Sequence, residues 1–357
     1  MASTLIADVC KIEEIQPHPD ADRLELVRIK NWWCVVKRDL FLIGDKVVYI
    51  PPETVVPTAV AEAWGVVNYC SNLPKLGDGT QPDGVRVRAA RLRGVASQGL
   101  ILPLENKDWE VGHSVIEHYG LSKYEPPAPV NPGEAIPEPE MFHRFTDIEN
   151  IGNFPDIFVD GEEVVVDEKI HGTNGRAAIL NIDGEMRFFC GGHKQCLKEI
   201  SDDGKRCLYW AAMDNKMRSL LSKFSNNNQN IVVFVEVYGR KIQDMEYGMN
   251  QIGYRAYDMT VNGRYLDYEE KMAAFNEFGI EVAPLLYRGP FSMKKMQEIV
   301  DGPTQMCDPK NAGRFNGREG IVIRPIKEVR HPHIGRKILK MISVDYHERK
   351  GKKTEYH

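Results

Sequence analysis

Hydrophobic and polar positions alternate over short stretches in the first third of the chain. Such stretches, bounded by glycine, proline or aspartate, are typical of strands in small antiparallel sheets. The pattern predicts strands over 5–15, 24–29, 33–37, 46–50, 85–91 and 99–102. Helical periodicity is nearly absent here, so the expected architecture is a small β-barrel. Strand periodicity alone does not decide which kind of barrel it is.

The pattern changes after residue 140. Near-continuous apolar runs, typical of strands buried on both faces, predict strands over 163–167, 231–237, 320–323 and 337–342. Amphipathic spacing predicts helices over 213–224, 268–278 and 292–300. This part of the chain is therefore expected to be an α+β domain.

A proline-rich segment separates the two patterns. Residues 126–139 contain six prolines and predict neither helix nor strand. Proline favours extended backbone, so we expect a semi-rigid linker over 126–140. The linker predicts domains over 1–125 and 141–357, each long enough to bury its own core.

Composition narrows the class of protein. Among the 357 residues no apolar run approaches the roughly 18 residues that span a bilayer, so no membrane partner is expected. The start of the chain does not have the pattern of a signal peptide. Seven scattered cysteines favour a reducing compartment, and we expect the cytoplasm. A formal net charge of −5 argues against binding nucleic acid by bulk electrostatics.

A local basic patch is nevertheless present in the first domain. Arg86, Arg88, Arg91 and Arg93 lie within eight residues that contain no acid. These arginines are candidates for contacts with a nucleic-acid backbone. The alternative is an ordinary solvated strand face.

Lys169 is the strongest candidate for covalent chemistry. It lies at the end of a predicted buried strand, Val-Val-Val-Asp-Glu-Lys, and precedes the turn His-Gly-Thr-Asn. A lysine is a nucleophile only when deprotonated, and a strand end inside a pocket supplies the desolvation that favours this form. Gly172 would let the backbone pass close to a nucleotide, and Asn174 could donate a hydrogen bond to it. The alternative is a surface lysine before a turn.

Four later segments add matching chemistry. Glu236 lies inside an apolar strand, which is costly unless its charge is paired or binds a cation. Tyr254 offers an aromatic face that could stack on a base. Glu319 precedes another buried strand, and Lys340 adds a cation near the end of the chain.

These five segments, in this order, resemble the nucleotidyltransferase motifs of the covalent ligase and mRNA-capping superfamily. The stretch Lys-Ile-His-Gly-Thr-Asn at 169–174 resembles the first motif of the RNA ligase 2 branch. The resemblance covers most of residues 141–345.

The first domain carries a second resemblance. The stretches 15–24 and 44–51 are similar to OB-fold modules of tRNA-handling proteins, with an SH3-like barrel as the alternative. An OB domain before the catalytic domain resembles the fifth RNA ligase family, whereas DNA ligases and capping enzymes carry theirs after the fifth motif. The implied fold class is α+β, with an N-terminal OB-fold β-barrel followed by a nucleotidyltransferase domain. The chain departs from that family at His171, where an acid is usual, and at Lys337-Ile-Leu-Lys340 in the fifth motif.

The resemblance implies an ATP-dependent RNA ligase that joins RNA 3′-OH and 5′-phosphate ends through lysyl-AMP and RNA-adenylate intermediates. Lys169 would be the nucleophile, and Lys340 would contact the α-phosphate. Glu236, Glu319 and His171 would hold Mg²⁺ or Mn²⁺. The predicted nucleotide contacts are Glu168, Ile170, Gly172, Asn174, Arg176, Tyr254, Lys337 and Lys340. The predicted RNA contacts are Arg86, Arg88, Arg91, Arg93 and Arg144.

Three alternative functions stay open. They are a DNA ligase, a GTP-using mRNA capping enzyme, and a non-catalytic RNA-binding protein on the same scaffold. We expect a monomer. The sequence does not indicate the biological RNA, or whether ends are joined at a nick or in a loop.

Overall fold

The computed structural model describes residues 5–75, 80–124, 134–225, 229–240, 242–313 and 315–348. The chain divides into two compact units. The first is Met1–Pro127 with Glu149–Asp156, and the second is Ala128–Ile148 with Ile157–His357. Residues 149–156, which lie beyond the linker, therefore group with the first unit.

The first unit consists mainly of short antiparallel strands. Its strands are β1 (Asp8–Lys11), β2 (Glu14–Pro17), β3 (Leu24–Ile29), β4 (Trp32–Lys37), β5 (Lys46–Ile50), β6 (Thr54–Val56), β7 (Ser71–Asn72), β8 (Val85–Arg86), β9 (Ala89–Leu92), β10 (Val95–Gln98), β11 (Leu100–Pro103), β12 (Ser122–Lys123) and, after the linker, β14 (Glu149–Asn150). Its helices are α1 (Thr58–Ala63) and α2 (Ile116–Tyr119). The sheets run β1-β5-β11, β2-β3-β4, β9-β10 and β12-β6-β8-β7.

Alternating side chains form the core of this unit. In β3 every second residue is buried, and Val27 and Ile29 pair with Cys34 and Trp32 of β4. Together with β1 and β5 these strands enclose one apolar cluster. The predictions over 24–29 and 46–50 are confirmed by β3 and β5, whereas the stretch 5–15 is divided between β1 and β2.

The second unit combines long strands with helices. Its strands are β13 (Ala135–Ile136), β15 (Glu163–Lys169), β16 (Thr173–Ile182), β17 (Glu185–Gly192), β18 (Cys196–Leu197), β19 (Ile231–Gly239), β20 (Ile252–Val261), β21 (Arg264–Tyr265), β22 (Leu285–Pro290), β23 (Gly320–Pro325), β24 (Arg330–His331), β25 (Gly335–Arg336) and β26 (Leu339–Ile342). Its helices are α3 (Asn215–Ser225), α4 (Tyr268–Glu277), α5 (Met293–Val300) and α6 (Val344–Glu348). The predictions of α3, α4 and α5 are confirmed to within a few residues.

Two sheets organise this unit. One runs β13-β18-β17-β16-β19-β20-β21, and in the other β26, β23, β15 and β22 are neighbours in that order. Phe234 of the first sheet and Val322 of the second belong to one buried cluster, so the two sheets pack against each other. The opposite face of β16, β19 and β20 packs on α3 and α4. Lys169 ends β15, so it lies where the chain passes from one sheet to the other.

The predicted linker is only partly described, because its residues 126–133 lie outside the described residues. Ala135–Ile136 form the short strand β13, although the sequence predicted no strand there. The strand is held at both sides by ion pairs, Glu134 to Lys198 at 2.5 Å and Glu138 to Arg176 at 2.8 Å. Within the described part of the chain, no helix is long and apolar enough to cross a membrane.

Candidate active site

Lys169 lies beside Glu319 because of the register between two central strands. Lys169 pairs with Gly320, the first residue of β23, and Glu319 immediately precedes that strand. The Lys169 Nζ is 2.5 Å from Glu319 Oε1. The Lys169 side chain is 16% exposed and that of Glu319 only 1%. The structure therefore pairs the predicted nucleophile with a buried carboxylate.

Glu236 approaches the same pair from the other sheet. A Cβ on Gly172 would overlap the Val237 carbonyl oxygen and crowd the Glu236 side chain, so this position requires glycine. Burial raises the pKa of Glu236 to about 8; Lys169 and His171 lower it, and Glu319 raises it. We call Lys169, Glu236 and Glu319 the nucleophile pocket. It contains two carboxylates and one lysine.

His171 is held by protein groups on every side. Its Nε2 is 2.7 Å from Asp244 Oδ1, and its Nδ1 is 2.9 Å from the Tyr346 hydroxyl. Its backbone N–H donates to the Tyr247 hydroxyl at 2.7 Å. Both ring nitrogens bond to side chains in this structure, so the predicted role of His171 as a metal ligand stays a prediction.

A divalent cation fits the two remaining carboxylates. Among the described residues no three His, Cys, Asp or Glu side chains are arranged as a metal site. Mg²⁺ commonly uses only one or two protein carboxylates and takes its other ligands from water and substrate phosphates. Glu236, whose raised pKa reflects burial and a neighbouring carboxylate, is the kind of group that a cation would stabilise in its ionised form.

Asn174 faces the pocket from β16. It pairs with Glu236 across the strands, so the two side chains lie on the same face of the sheet. Its Nδ2 donates to the Tyr257 hydroxyl. Its Oδ1 is buried and has no hydrogen-bond partner among the described residues. This placement agrees with a role in contacting a nucleotide.

Tyr254 lies on a different face of the sheet from Glu236, and its predicted contact with the nucleotide stays a prediction. Tyr254 pairs with Val237, and both contribute to the core beneath α3, on the sheet face opposite Glu236. Burial and Asp214 raise the pKa of Tyr254. A β-bulge between Phe234 and Val235 leaves one extra residue in β20. That residue, Tyr257, is the aromatic side chain that reaches Asn174.

The two lysines of the fifth motif differ in position. Lys340 pairs with Val322, which pairs with Asp167 on its other side. Paired residues share a face and Lys169 follows Asp167 by two, so Lys340 and Lys169 project from the same face of the sheet.

Lys337 lies at the far end of the same sheet. Its Nζ is 2.7 Å from Glu162 Oε2, and Glu162 precedes β15 at the end opposite Lys169. Seven strand residues span roughly 20 Å. The structure therefore does not bring Lys337 together with Lys169, and its predicted contact with the nucleotide stays a prediction.

Three other predicted nucleotide contacts are engaged by the protein itself. Glu168 accepts hydrogen bonds from Thr304 Oγ1 at 2.5 Å and from the Gln305 backbone at 2.7 Å. Ile170 packs in an apolar cluster. Arg176 is buried and donates to Glu138 and to the carbonyls of Gly192 and Phe142. The guanidinium of Arg176 therefore bonds to protein groups, and its predicted contact with the nucleotide stays a prediction.

The four arginines of the basic patch differ in exposure. Arg86 forms an ion pair with Glu53 and stacks on the Tyr124 ring at 3.9 Å, and its predicted contact with RNA stays a prediction. Arg88, Arg91 and Arg93 are exposed. Arg91 lies in β9, and Arg93 lies in the two-residue turn that joins β9 to β10. Positive φ at Arg93 (49°) and Gly94 (87°) gives this hairpin a type I′ turn.

Arg144 lies in the second unit, with its side chain 55% exposed. Its Nε is 3.7 Å from Glu138 Oε1, and its NH2 donates to the Lys194 carbonyl at 3.3 Å. The described contacts do not join it to Lys169.

A second charged cluster lies in the core of the same unit. We call it the buried ion network; its members are Asp167, Asp258, Lys271, Arg324, Glu328 and Arg336. Asp258 is 3.0 Å from Lys271 and 2.8 Å from Arg336. Burial alone would raise the pKa of Asp258, but Lys271, Arg336 and Arg324 together hold it below its usual value.

Sequence reasoning missed Tyr257, Asp244 and Tyr346. Tyr257 had a signal, because it lies in the same aromatic motif as Tyr254. Tyr346 also had one, an aromatic residue shortly before the polar end of the chain. Asp244 lies in a loop rich in polar residues, where nothing distinguished it.

A strand-end lysine against a buried carboxylate, with a second carboxylate facing it from another sheet, defines a covalent nucleotidyltransferase site. The family model of RNA ligases matches residues 162–342, and an OB-fold domain model matches residues 6–104. Because the first match spans just over half of the chain, the protein belongs to the RNA ligase family. The predicted order, an OB-fold domain before a nucleotidyltransferase domain, is confirmed.

Solved structures of Naegleria gruberi RNA ligase variants share this fold. One solved with ATP and Mn is 26% identical over 96% of this chain and 98% of that chain, with a TM-score of 0.73. Another solved with AMP and Mn is 25% identical over the same shares, with a TM-score of 0.75. No curated protein matches the sequence significantly.

Proposed function

We propose that this protein is an ATP-dependent RNA ligase that joins 3′-OH and 5′-phosphate ends through lysyl-AMP and RNA-adenylate intermediates. The observation that carries the proposal is the Lys169–Glu319 pair at 2.5 Å, with Glu236 facing it. Membership of the RNA ligase family supports it. So do the ATP, AMP and Mn with which the similar Naegleria structures were solved.

In the first step Lys169 attacks the α-phosphorus of ATP. A nitrogen–phosphorus bond forms, the bond to pyrophosphate breaks, and Lys169 loses a proton. Glu319 is the group placed to accept this proton, because its Oε1 already bonds to the Lys169 Nζ. Covalent capture of AMP divides a difficult substitution into easier steps.

In the second step an oxygen of the RNA 5′-phosphate attacks the adenylyl phosphorus and Lys169 leaves. In the third the RNA 3′-hydroxyl attacks that 5′-phosphate and AMP leaves. Such phosphoryl transfers depend mainly on positioning and charge neutralisation. Lys340 is suited to neutralising charge on the phosphates, because it projects from the same face of the sheet as Lys169.

Glu236 and Glu319 would hold Mg²⁺ or Mn²⁺, which neutralises charge on the phosphates when bound. Asn174 lies across from Glu236 and would bind the nucleotide through its buried Oδ1 or its Nδ2. Tyr257 takes the place that the sequence assigned to Tyr254 as the aromatic partner of the base.

The central test is incubation with labelled ATP and Mn²⁺, without RNA, followed by a denaturing gel. The wild-type protein should retain one AMP, and Lys169→Ala should retain none. Lys337→Ala is the matched control, because it removes a lysine of the same unit that is bonded to Glu162 instead, and it should stay labelled. A labelled Lys169→Ala protein would overturn the proposal. Labelling from GTP in place of ATP would favour a capping enzyme.

We further propose that the domain over 1–125 holds RNA while the domain over 141–357 holds the nucleotide. The OB-fold match and the exposed Arg88, Arg91 and Arg93 support this division. OB folds commonly bind single strands along a basic face.

Arg88→Glu with Arg93→Glu should slow the sealing of pre-adenylated RNA at limiting RNA and leave Lys169 adenylation unchanged. The slope of log affinity against log salt should fall by roughly 0.7 for each single-strand phosphate that the variant no longer neutralises. Arg187→Glu, an exposed arginine of the second unit, is the control. Equal sealing by the double variant and this control would contradict the division of roles.

A further inference from the structure

The residues just after β26 hold the surroundings of Lys169 in place. The Ser343 backbone N–H donates to the Glu319 carbonyl at 2.9 Å, and its Oγ donates to Asp301 Oδ1 at 2.6 Å. Tyr346, in α6, is fully buried, and its hydroxyl lies 2.9 Å from His171 Nδ1. We call residues 343–346 the C-terminal clamp. One end of the clamp contacts Glu319 and the other contacts His171.

The hydrogen bonds of His171 fix the orientation of its ring. A carboxylate only accepts hydrogen bonds, so the Nε2 that lies 2.7 Å from Asp244 carries a proton and donates it. Nδ1 lies 2.9 Å from the Tyr346 hydroxyl, which can donate to a neutral ring or accept from a protonated one. The ring is therefore anchored at both nitrogens, by a loop residue on one side and by the C-terminal clamp on the other.

The anchored ring lies against the groups that react. His171 Nδ1 is 3.8 Å from Glu319 Oε2, and the other oxygen of Glu319 bonds to the Lys169 Nζ. His171 also follows Lys169 by only two residues. If the ring lost one anchor, it could rotate toward Glu319 and disturb the carboxylate that orients Lys169. Small displacements of this kind are costly in substitution reactions, because the nucleophile must be aligned with the leaving group.

We propose that Tyr346 is a positioning residue for the adenylation step. It orients His171, and through His171 it keeps Glu319 and Lys169 aligned, without contacting the nucleotide. Asp244 serves the same ring from the opposite side. This inference rests on the adenylation of Lys169 proposed above, and it concerns the rate of that step rather than the affinity for ATP.

The test compares Tyr346→Phe with Tyr287→Phe in single-turnover adenylation by the full-length protein. Each variant loses one hydroxyl, and the Tyr287 hydroxyl donates to the Pro290 carbonyl at 2.9 Å in the same unit. Tyr346→Phe should lower the rate at saturating ATP about tenfold and leave the half-saturating ATP concentration within twofold. Tyr287→Phe should change neither. Melting temperatures of the two variants should agree, which separates positioning from loss of stability.

A double-mutant cycle with Asp244→Asn tests whether Tyr346 acts through His171. Two anchors of one ring should be coupled, so the combined loss should differ from the product of the single losses by more than about threefold. Independent losses, an unchanged rate, or a raised half-saturating ATP concentration in Tyr346→Phe would each overturn the inference. A wild-type protein that forms no adenylate would instead overturn the proposed function.

Discussion

The nucleophile pocket and the buried ion network both place carboxylates against cations in one unit, but they balance charge differently. The network sets Lys271, Arg324 and Arg336 against three carboxylates; cations hold the pKa of Asp258 below its usual value, whereas burial raises that of Asp167. The pocket sets one lysine against two carboxylates, and the pKa of Glu236 rises to about 8. Compensated charge stabilises the fold, whereas uncompensated charge is retained for a substrate or cation.

The difference also separates two kinds of buried acid that look alike in sequence. Glu236 and Asp258 are both acids within mostly apolar strands, and the sequence predicted a partner for Glu236. The structure supplies Asp258 with protein cations at 2.8 and 3.0 Å. For Glu236, the neighbouring protein cations do not fully offset the effect of burial, so its pKa stays raised. A buried carboxylate with too few neighbouring cations favours a site that binds ATP together with a divalent cation.

The largest expected effect comes from breaking the network. Asp258→Asn should lower the free energy of unfolding by about 3 to 5 kcal/mol, because buried cations would lose their shared counter-charge. Urea unfolding measures the loss. Asp203→Asn, whose partner Lys205 is exposed, is the control and should leave stability nearly unchanged. A loss in Asp258→Asn as small as in this control would mean that the network is not a stabilising unit.

Replacing Glu236, a carboxylate of the nucleophile pocket, should have the opposite effect on stability. The folded protein holds a proton on Glu236 up to about pH 8, whereas the unfolded chain releases it near 4.5. The folded state thus binds more protons between these values, so raising the pH through this window should destabilise the wild type relative to Glu236→Gln.

The difference should grow by about 1.4 kcal/mol for each pH unit inside this window in the absence of divalent cations. Urea unfolding from pH 5 to pH 9 measures it, with Glu185→Gln as an exposed control. Glu236→Gln should also lose adenylation while gaining stability. Parallel pH profiles for the wild type and Glu236→Gln would show that the pocket is as well compensated as the network.

The sequence located the nucleophile because the two strands that meet at the site, β15 and β23, are rich in apolar residues. Three consecutive valines precede Lys169 by two residues, and an apolar run follows Glu319, so both strands could be predicted from the sequence. The pairing of Lys169 with Gly320 then follows from the register of neighbouring strands. The side chains of β16 and β17 include Thr, Asn, Arg and Gly, so this long hairpin was not predicted.

Other features depend on contacts that no local pattern records. The extra residue at Tyr257 changes which aromatic side chain of β20 faces the pocket. The order of apolar and polar residues in the sequence does not reveal this bulge. The Tyr346–His171 contact joins residues 175 positions apart. Arg86 belongs to the basic run in sequence, but its ion pair is with Glu53, 33 residues earlier.

Tyr257 contributes to both charged regions of the second unit. Its backbone carbonyl accepts hydrogen bonds from Lys271 at 3.0 Å and from Arg324 at 3.1 Å, both in the buried ion network. Its hydroxyl accepts one from Asn174 beside the nucleophile pocket. The network can therefore fix the backbone while the ring serves the nucleotide. Changes to the side chain should separate the two roles, because every variant keeps the carbonyl.

The smallest expected effect is on ATP affinity. Tyr257→Leu should raise the half-saturating ATP concentration for adenylation about tenfold, because base stacking on an aromatic ring contributes about 1 to 1.5 kcal/mol. Tyr257→Phe keeps the ring and should stay within about threefold of the wild type. Tyr254→Phe is the control for the opposite sheet face and should leave ATP binding unchanged. If Tyr257→Leu and Tyr257→Phe bound ATP equally, stacking would be excluded and Tyr257 would belong to the network alone. If Tyr254→Phe alone weakened binding, the original prediction for Tyr254 would be supported.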